Sequence, residues 1–263
     1  MRNIIAIMKK ELSTYFTTPI AYVCFTGFSI ISAYFFLQIL AHYQLQIQMY
    51  GHSPESLEQM NFNDMVIGPV IYNVLVIFLF FIPFMTMRLF AEEKRNRTFE
   101  FLLTTPITPF QLLIGKYLSS IVLVGIMTFI TLLYPVFLAL FGSGSAGSGG
   151  IEWNSVFAGI GGLFILGCAF ASFCIFASSI TESQPVAAII GFGTLLIWWI
   201  LGWASRNAEC WTKDLLDYLS IPSHVEGAIK GMFILKDLVF FLSIIILGLF
   251  LAYRVIESHR WKE

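Results

Sequence analysis

Acids and bases stand side by side at Glu92, Glu93, Lys94 and Arg95, within a stretch from Arg88 to Glu100 that carries seven charged side chains in thirteen positions. Charges this dense either grip another surface by ion pairs or anchor a connection in solvent and headgroups. From Arg88 to Leu103 both signs are displayed and the net charge is near +1. That balance suits docking to a protein better than docking to phosphate or lipid, where one sign would dominate. A solvated anchor on the positive side of a membrane is the rival reading, and charge pattern alone does not separate the two.

Glu11 is the second chemical candidate. On a helical wheel Ile4, Ile5, Met8, Leu12, Tyr15 and Phe16 share a face, Arg2, Lys9, Lys10 and Ser13 lie opposite, and Glu11 falls inside the apolar arc. A carboxylate there is costly unless paired. Arg88 and Lys116 are the bases expected at the same membrane edge, and the Glu11–Lys116 pair is carried forward as the expectation. A glutamate snorkelling to headgroup level is the alternative.

The groups that would make this chain an enzyme are missing from the sequence. No G-x-x-x-x-G-K-[ST] loop occurs: Gly115-Lys116 is followed by Tyr117 and has Phe110 where the first glycine would stand, and the glycine-rich 142–150 contains no lysine. There is no H-E-x-x-H, and no serine sits in G-x-S-x-G or G-x-S-G. Cys24, Cys168 and Cys174 lie in apolar runs, Cys210 stands alone, and no Cys/His spacing resembles a zinc site. His42, His52 and His224 read as solvated loop histidines. No metal or cofactor is expected on this chain.

The elements that must position these residues are membrane helices. The 263 residues are 57% hydrophobic and 12% charged, against about a quarter charged for a soluble domain. The expected fold is an all-α membrane protein with spans at about 19–41, 66–87, 109–141, 155–180, 185–203 and 235–253, each near the ~20 apolar residues that cross a bilayer. The chain reads as one mature transmembrane domain with no cleaved leader. Pro19 and Pro185 suit first helical positions, and Thr108 to Gln111 forms a capping box. No span carries a charge near its middle, and Asn73 is the nearest to a deep polar residue, so any energy for transport must enter from outside the bilayer.

Eleven of the fifteen Lys and Arg fall on one side if the N-terminus is inside, leaving Arg206, Lys213, Lys230 and Lys236 outside. Both termini are therefore expected in the cytoplasm, with the chain in the cell's inner membrane. Residues 1–18 form an interface helix. The loop 88–106 begins as a short helix lying across its flanking spans and breaks at Thr104-Thr105-Pro106. Residues 205–234 form an outer hairpin: Trp211, Leu215, Leu216 and Leu219 on one short helix, a turn at Ile221-Pro222, and a second helix opened by a Ser223-x-x-Glu226 capping box.

The run Met87-Arg88-Leu89-Phe90-Ala91-Glu92-Glu93-Lys94-Arg95, followed by Thr98-Phe99-Glu100-Phe101-Leu102-Leu103, Pro106 and Gly115-Lys116, resembles the connection between the second and third spans of ABC-2 type permeases. The gliding-motility and nitrous-oxide-maturation branch is the most similar. Pro19 to Val23, and Ser223 to Glu226 with Lys230-Gly231, resemble that branch too, so the likeness covers essentially the whole chain. One departure is Arg97, where the family pattern places a glycine before the threonine and which bears on whether a glycine-dependent turn forms there.

The resemblance implies that the charged stretch is a coupling helix seated in a separate cytoplasmic ATPase. Arg88, Glu92, Glu93, Lys94, Arg95, Arg97, Thr98, Phe99, Glu100 and Leu102 would be its docking residues. It implies two ATPase copies holding ATP and magnesium, a second permease subunit, identical or homologous, and a lean towards export. A periplasmic or auxiliary membrane subunit is a further expected partner, alongside the lipid bilayer; no nucleic acid is. Leu219, Pro222, Ser223, His224 and Glu226 would cap the outer end of the pathway, and Asn73, Phe78, Phe81, Trp198 and Trp199 are candidates for its lining. The alternative is a non-transporting anchor that recruits an ATPase for mechanical work on an envelope assembly.

Overall fold

The structure is a computed structural model that describes residues 2–50, 62–98, 107–141, 151–206, 218–232 and 234–260, and every regular element among them is helical. In chain order these are α1 (Arg2–Thr17), α2 (Pro19–Tyr50), a π-helical turn (Asn63–Ile67) that leads into α3 (Gly68–Thr86), α4 (Arg88–Arg95), α5 (Pro109–Phe141), α6 (Trp153–Ile180), α7 (Gln184–Arg206), α8 (Ile221–Ile229) and α9 (Leu235–Arg260). Among the described residues, six runs are long and apolar enough to cross a membrane: Pro19–Met49, Asn63–Arg95, Pro109–Phe141, Trp153–Ile180, Gln184–Gly202 and Leu235–Ser258.

Central in the bundle is α6, which packs against α3, α5, α7, α8 and α9. Its sequence is dense in Gly, Ala and Ser, and small residues let apolar helices approach closely where no hydrophobic drive separates helix from lipid. Bulk comes from its neighbours: Phe28 of α2 and Phe78 of α3 are fully buried with ring centroids 5.9 Å apart.

Three boundaries differ from the sequence expectation. The first span, α2, runs on to Tyr50 rather than ending near Ala41, because Tyr43 turns inward and is buried edge-on against Phe62 at 5.3 Å. The charged stretch does not begin as a helix lying across the spans. It continues the second span, since the Met87 amide keeps its bond to the Pro83 carbonyl at 2.9 Å and Leu89, Phe90 and Ala91 stay buried. At the other end of the chain, Ile221-Pro222 is the first turn of α8 rather than a loop, with Ser220 at the N-cap in place of Ser223. Proline fits there because its missing N–H is one that a first helical turn leaves unbonded anyway.

Candidate functional site: the charged end of the bundle

Two acids and two bases from three elements meet where α1 crosses α5. Gly115 makes the crossing possible, since a Cβ at that position would sit 2.8 Å from the Ile7 Cβ. The next residue, Lys116, is 1% exposed. Its Nζ lies 3.1 Å from Glu11 Oε1 and 2.9 Å from Glu93 Oε2, and it donates a hydrogen bond to the Leu89 carbonyl. Lys10 Nζ closes the ring from the surface, 3.2 Å from Glu11 Oε1 and 3.1 Å from Glu93 Oε1.

The ring is electrically neutral, which is what makes burial of Lys116 tolerable. Burial works against the Glu11 carboxylate, but the charges of Lys116 and Lys10 outweigh it and hold the carboxyl below its ordinary value. The same balance runs the other way at Lys10, where partial burial is outweighed by Glu11 and Glu93 and the ammonium is held above its ordinary value.

Beside the ring, Arg88 spans from α4 back to α1 and the residue that follows it. Its guanidinium lies 4.9 Å over the Tyr15 ring, donates to Thr18 Oγ1 at 3.3 Å, and pairs with Glu92 one turn on at 3.1 Å. The Tyr15 hydroxyl donates to the Met85 carbonyl. Thus α1 is fastened to the second span as well as to the third.

Ser178 of α6 shapes the joint between α3 and α4. Its hydroxyl donates to the Met87 carbonyl at 2.8 Å and accepts from the amides of Phe90 at 3.1 Å and Ala91 at 3.2 Å. One donor and two acceptor positions are all a hydroxyl has, and all are used. In an unbroken helix the Phe90 amide would bond the Thr86 carbonyl; here it bonds the Ser178 hydroxyl, so a side chain from α6 occupies the place in the ladder where α3 ends and α4 begins. The end of α4 is then held by Lys94, which donates to the Ser179 carbonyl.

After Arg95 the chain turns through Arg97 with φ at +55°, the left-handed conformation that glycine usually supplies after a helix. The Arg97 amide bonds the Lys94 carbonyl at 3.1 Å, and Thr98 Oγ1 donates to the Glu93 carbonyl at 3.2 Å. The turn therefore forms without glycine, and Arg97 carries the strain.

Of the ten residues grouped for docking, the structure turns two inward: Arg88 and Glu93 are 6% and 8% exposed and belong to the chain's own network. Glu92 and Lys94 are half-buried, and Arg95, Arg97 and Thr98 are exposed. Phe99, Glu100 and Leu102 lie outside the described residues. Glu11 and Lys116 are paired directly, and Arg88, the other base considered for Glu11, pairs with Glu92 instead.

The five lining candidates do not gather on one open face. Phe78 and Trp199 are buried, Trp198 packs on Phe173 at 4.8 Å, Phe81 on Phe28 at 5.9 Å, and the half-buried Asn73 donates to the Pro69 carbonyl at 3.0 Å. None of them lines the small apolar cleft that Phe36, Val70, Thr131 and Tyr134 border. The open stripe of α3 is instead Val76, Phe80 and Phe84, one turn apart and exposed beside α7.

At the far end of the bundle α8 packs across the first turns of α6, where a Cβ on Gly162 would meet the Ala228 Cβ at 2.5 Å. Leu219, Ser223 and Glu226 are exposed, Pro222 is partly covered, and Trp211, Leu215 and Leu216 lie outside the described residues. His224 is not a solvated loop histidine: it is 3% exposed and stacked on Phe240. Its partner Asp237 was not among the sequence candidates, and neither was Ser178. A serine pair ending an apolar run, Ser178-Ser179, was the available signal for the latter.

A family model described as ABC-2 family transporter protein matches residues 5–255. Among curated proteins none matches the chain closely enough to count as a relative. The family match covers nearly the whole sequence and agrees with a bundle of six helices able to cross a membrane. The chain belongs to the ABC-2 family of transporter proteins, as a membrane-spanning permease that is not itself the catalytic ATPase.

Proposed function

We propose that the chain is the permease half of an ATP-driven exporter, oriented with both termini in the cytoplasm of a cell's inner membrane and working as a dimer of permease subunits. Two cytoplasmic ATPases, which hold ATP and magnesium, dock at the exposed end of α4 through Arg95, Arg97 and Thr98 and the residues that follow. The observation that carries this reading is the buried ring of Lys10, Glu11, Glu93 and Lys116. It ties α1, α4 and α5 into one block, so a push on the free end of α4 is delivered to the second and third spans together rather than absorbed in a loose loop.

A push does work only if the partner grips one state of the permease better than another. The joint held by Ser178 is the place where such a difference is registered, because it is where α4 meets α3 and is tied to α6. The exposed stripe of Val76, Phe80 and Phe84 beside α7 is the surface along which an apolar or amphiphilic cargo passes between subunits. Isolation of the full chain from membranes in mild detergent, with identification of bound proteins and an assay of ATP hydrolysis, tests the reading. A co-purifying P-loop ATPase supports it; a chain that purifies alone with no ATP hydrolysis overturns it.

A further inference from the structure

His224 on α8 and Asp237 in the first turn of α9 are thirteen residues apart in sequence, yet Nδ1 lies 2.6 Å from the Asp237 Oδ1. The other ring nitrogen, Nε2, lies 2.9 Å from the carbonyl oxygen of Tyr218. The ring is stacked on Phe240 with centroids 4.0 Å apart and planes 18° from parallel, and Tyr218 closes one side edge-on at 5.7 Å. Gly227 admits the carboxylate, since a Cβ there would sit 3.2 Å from Asp237 Oδ2.

The hydrogen-bond inventory of this site decides its protonation state. A backbone carbonyl and an ionised carboxylate are both acceptors, and a neutral imidazole has one N–H. With a neutral ring, one nitrogen lone pair must face an oxygen lone pair. Only the doubly protonated imidazolium donates to both, and in that form it also gains from lying over the Phe240 face. Asp237 is suited to remain an anion, since it lies in the first turn of α9 where a helix favours negative charge.

We propose that His224 and Asp237 form a proton-binding latch: the imidazolium fastens α8 to the start of α9, and loss of its proton releases one of the two bonds and loosens α8 from the far end of the bundle. As a gate on a pathway, the latch rests on the reading of this chain as a permease; as a protonation site it stands without it. Histidine is the side chain that ordinarily changes charge between about pH 5 and 8, which sets the range the test must cover.

The charged groups around the ring come from few elements. Lys236 of α9 holds its ammonium 5.3 Å over the Tyr218 ring. Glu226 and Lys230 lie on and just after α8 and are exposed, as are Glu152 before α6 and Asp64 in the π-helical turn. The surfaces of α6, α7 and α3 against α8 are built from small or apolar residues such as Ser155, Gly162, Gly202 and Ile71. Among the described residues, Asp237 is the ion-pair partner of His224.

The test is amide hydrogen exchange across α8 in the full chain held in lipid nanodiscs, corrected for intrinsic exchange and read from pH 5.5 to 8.5. Wild type should lose protection of α8 as pH rises, by about tenfold, the scale of one buried hydrogen bond. In Asp237→Asn the side-chain amide can donate to an unprotonated Nδ1 while Nε2–H still reaches Tyr218, so protection should stay flat or rise with pH. His224→Phe keeps the stacked shape and should give low protection at every pH. Wild-type protection that is flat with pH, or an Asp237→Asn profile that falls as wild type does, overturns the latch. None of these readouts involves an ATPase, so failure of the latch and failure of the permease reading are seen separately.

Discussion

Glu11 and Lys116, 105 positions apart in the chain, meet at 3.1 Å in the interior of the charged end. Helix α1 is thereby bolted to α5 through a buried charge. Glu93 completes the arrangement from α4, so α4, whose exposed end is the proposed docking surface, shares one ammonium with α1.

Removing that ammonium should therefore unfasten three elements at once. Lys116→Met strands two carboxylates against one partly exposed lysine, and loss of one partner of a buried pair costs about 3 kcal/mol or more. Thermal unfolding in mild detergent should show a clear drop in Tm. Adding Glu11→Gln and Glu93→Gln should recover most of it, because no buried charge is then left unpaired and Lys10, which loses both partners, faces solvent. A single variant with wild-type stability would mean that the ring is not held in the folded chain.

The pH dependence follows from the two shifted groups of the ring. Glu11 is held below its ordinary value of 4.5, so its contribution to stability is complete above that value and is lost as pH falls below it towards the native value. Lys10 is held above its ordinary 10.5, so its contribution is complete below that value and is lost as pH rises beyond it. Stability attributable to the ring should be level through the neutral range and decline on the acid side below about 4.5. Glu11→Gln should flatten that acid-side decline in Tm.

Ser178→Ala removes the hydroxyl wedged into the joint between α3 and α4. The Phe90 amide loses its acceptor and the Met87 carbonyl one of its two donors, at a cost of about 1–3 kcal/mol for a buried group left unbonded. Hydrogen exchange in 88–95 should speed up while the middle of α6 stays protected. Unchanged exchange in that segment would show that the helix closes on itself without the serine.

Six membrane helices were legible because hydropathy over twenty residues is a local property, and Glu11 was legible because a carboxylate in an apolar arc is conspicuous. The inward turn of Glu93 was not. Glu92 and Glu93 are chemically identical neighbours about 100° apart on a helix, and which one faces the bundle depends on α4 continuing the helical phase of α3. Ser178 is 88 positions from Phe90, and nothing in helical periodicity says which hydroxyl will meet which amide. His224 read as a loop residue because Ile221-Pro222 looks like a turn; as the first turn of a helix it directs the ring towards α9 instead.

Arg97 offers a way to separate geometry from recognition. Arg97→Gly should relieve about 1 kcal/mol of left-handed strain and slow exchange at the end of α4. The same change deletes an exposed cation and should weaken attachment of the ATPase. A variant that is less stable than wild type would contradict the strain argument.

At the far end, Gly162→Ala should destabilise the fold by about 1–3 kcal/mol of overpacking, read as a lower Tm, since its new Cβ meets a methyl that cannot swing aside. Ala228→Gly in the same chain removes that methyl and should restore most of the loss. No rescue would mean that α8 does not rest on α6 at this crossing.

Docking at the exposed end of α4 is the central claim, and its most direct measurement is the amount of ATPase that co-purifies with the full chain when Arg95 and Arg97 are both replaced by Glu. The account predicts that wild type carries the ATPase, that the double variant loses it, and that the two unfold at the same temperature, because neither side chain belongs to the buried ring. Full retention of the ATPase by the double variant would contradict the account, as would a wild-type chain that never carries one.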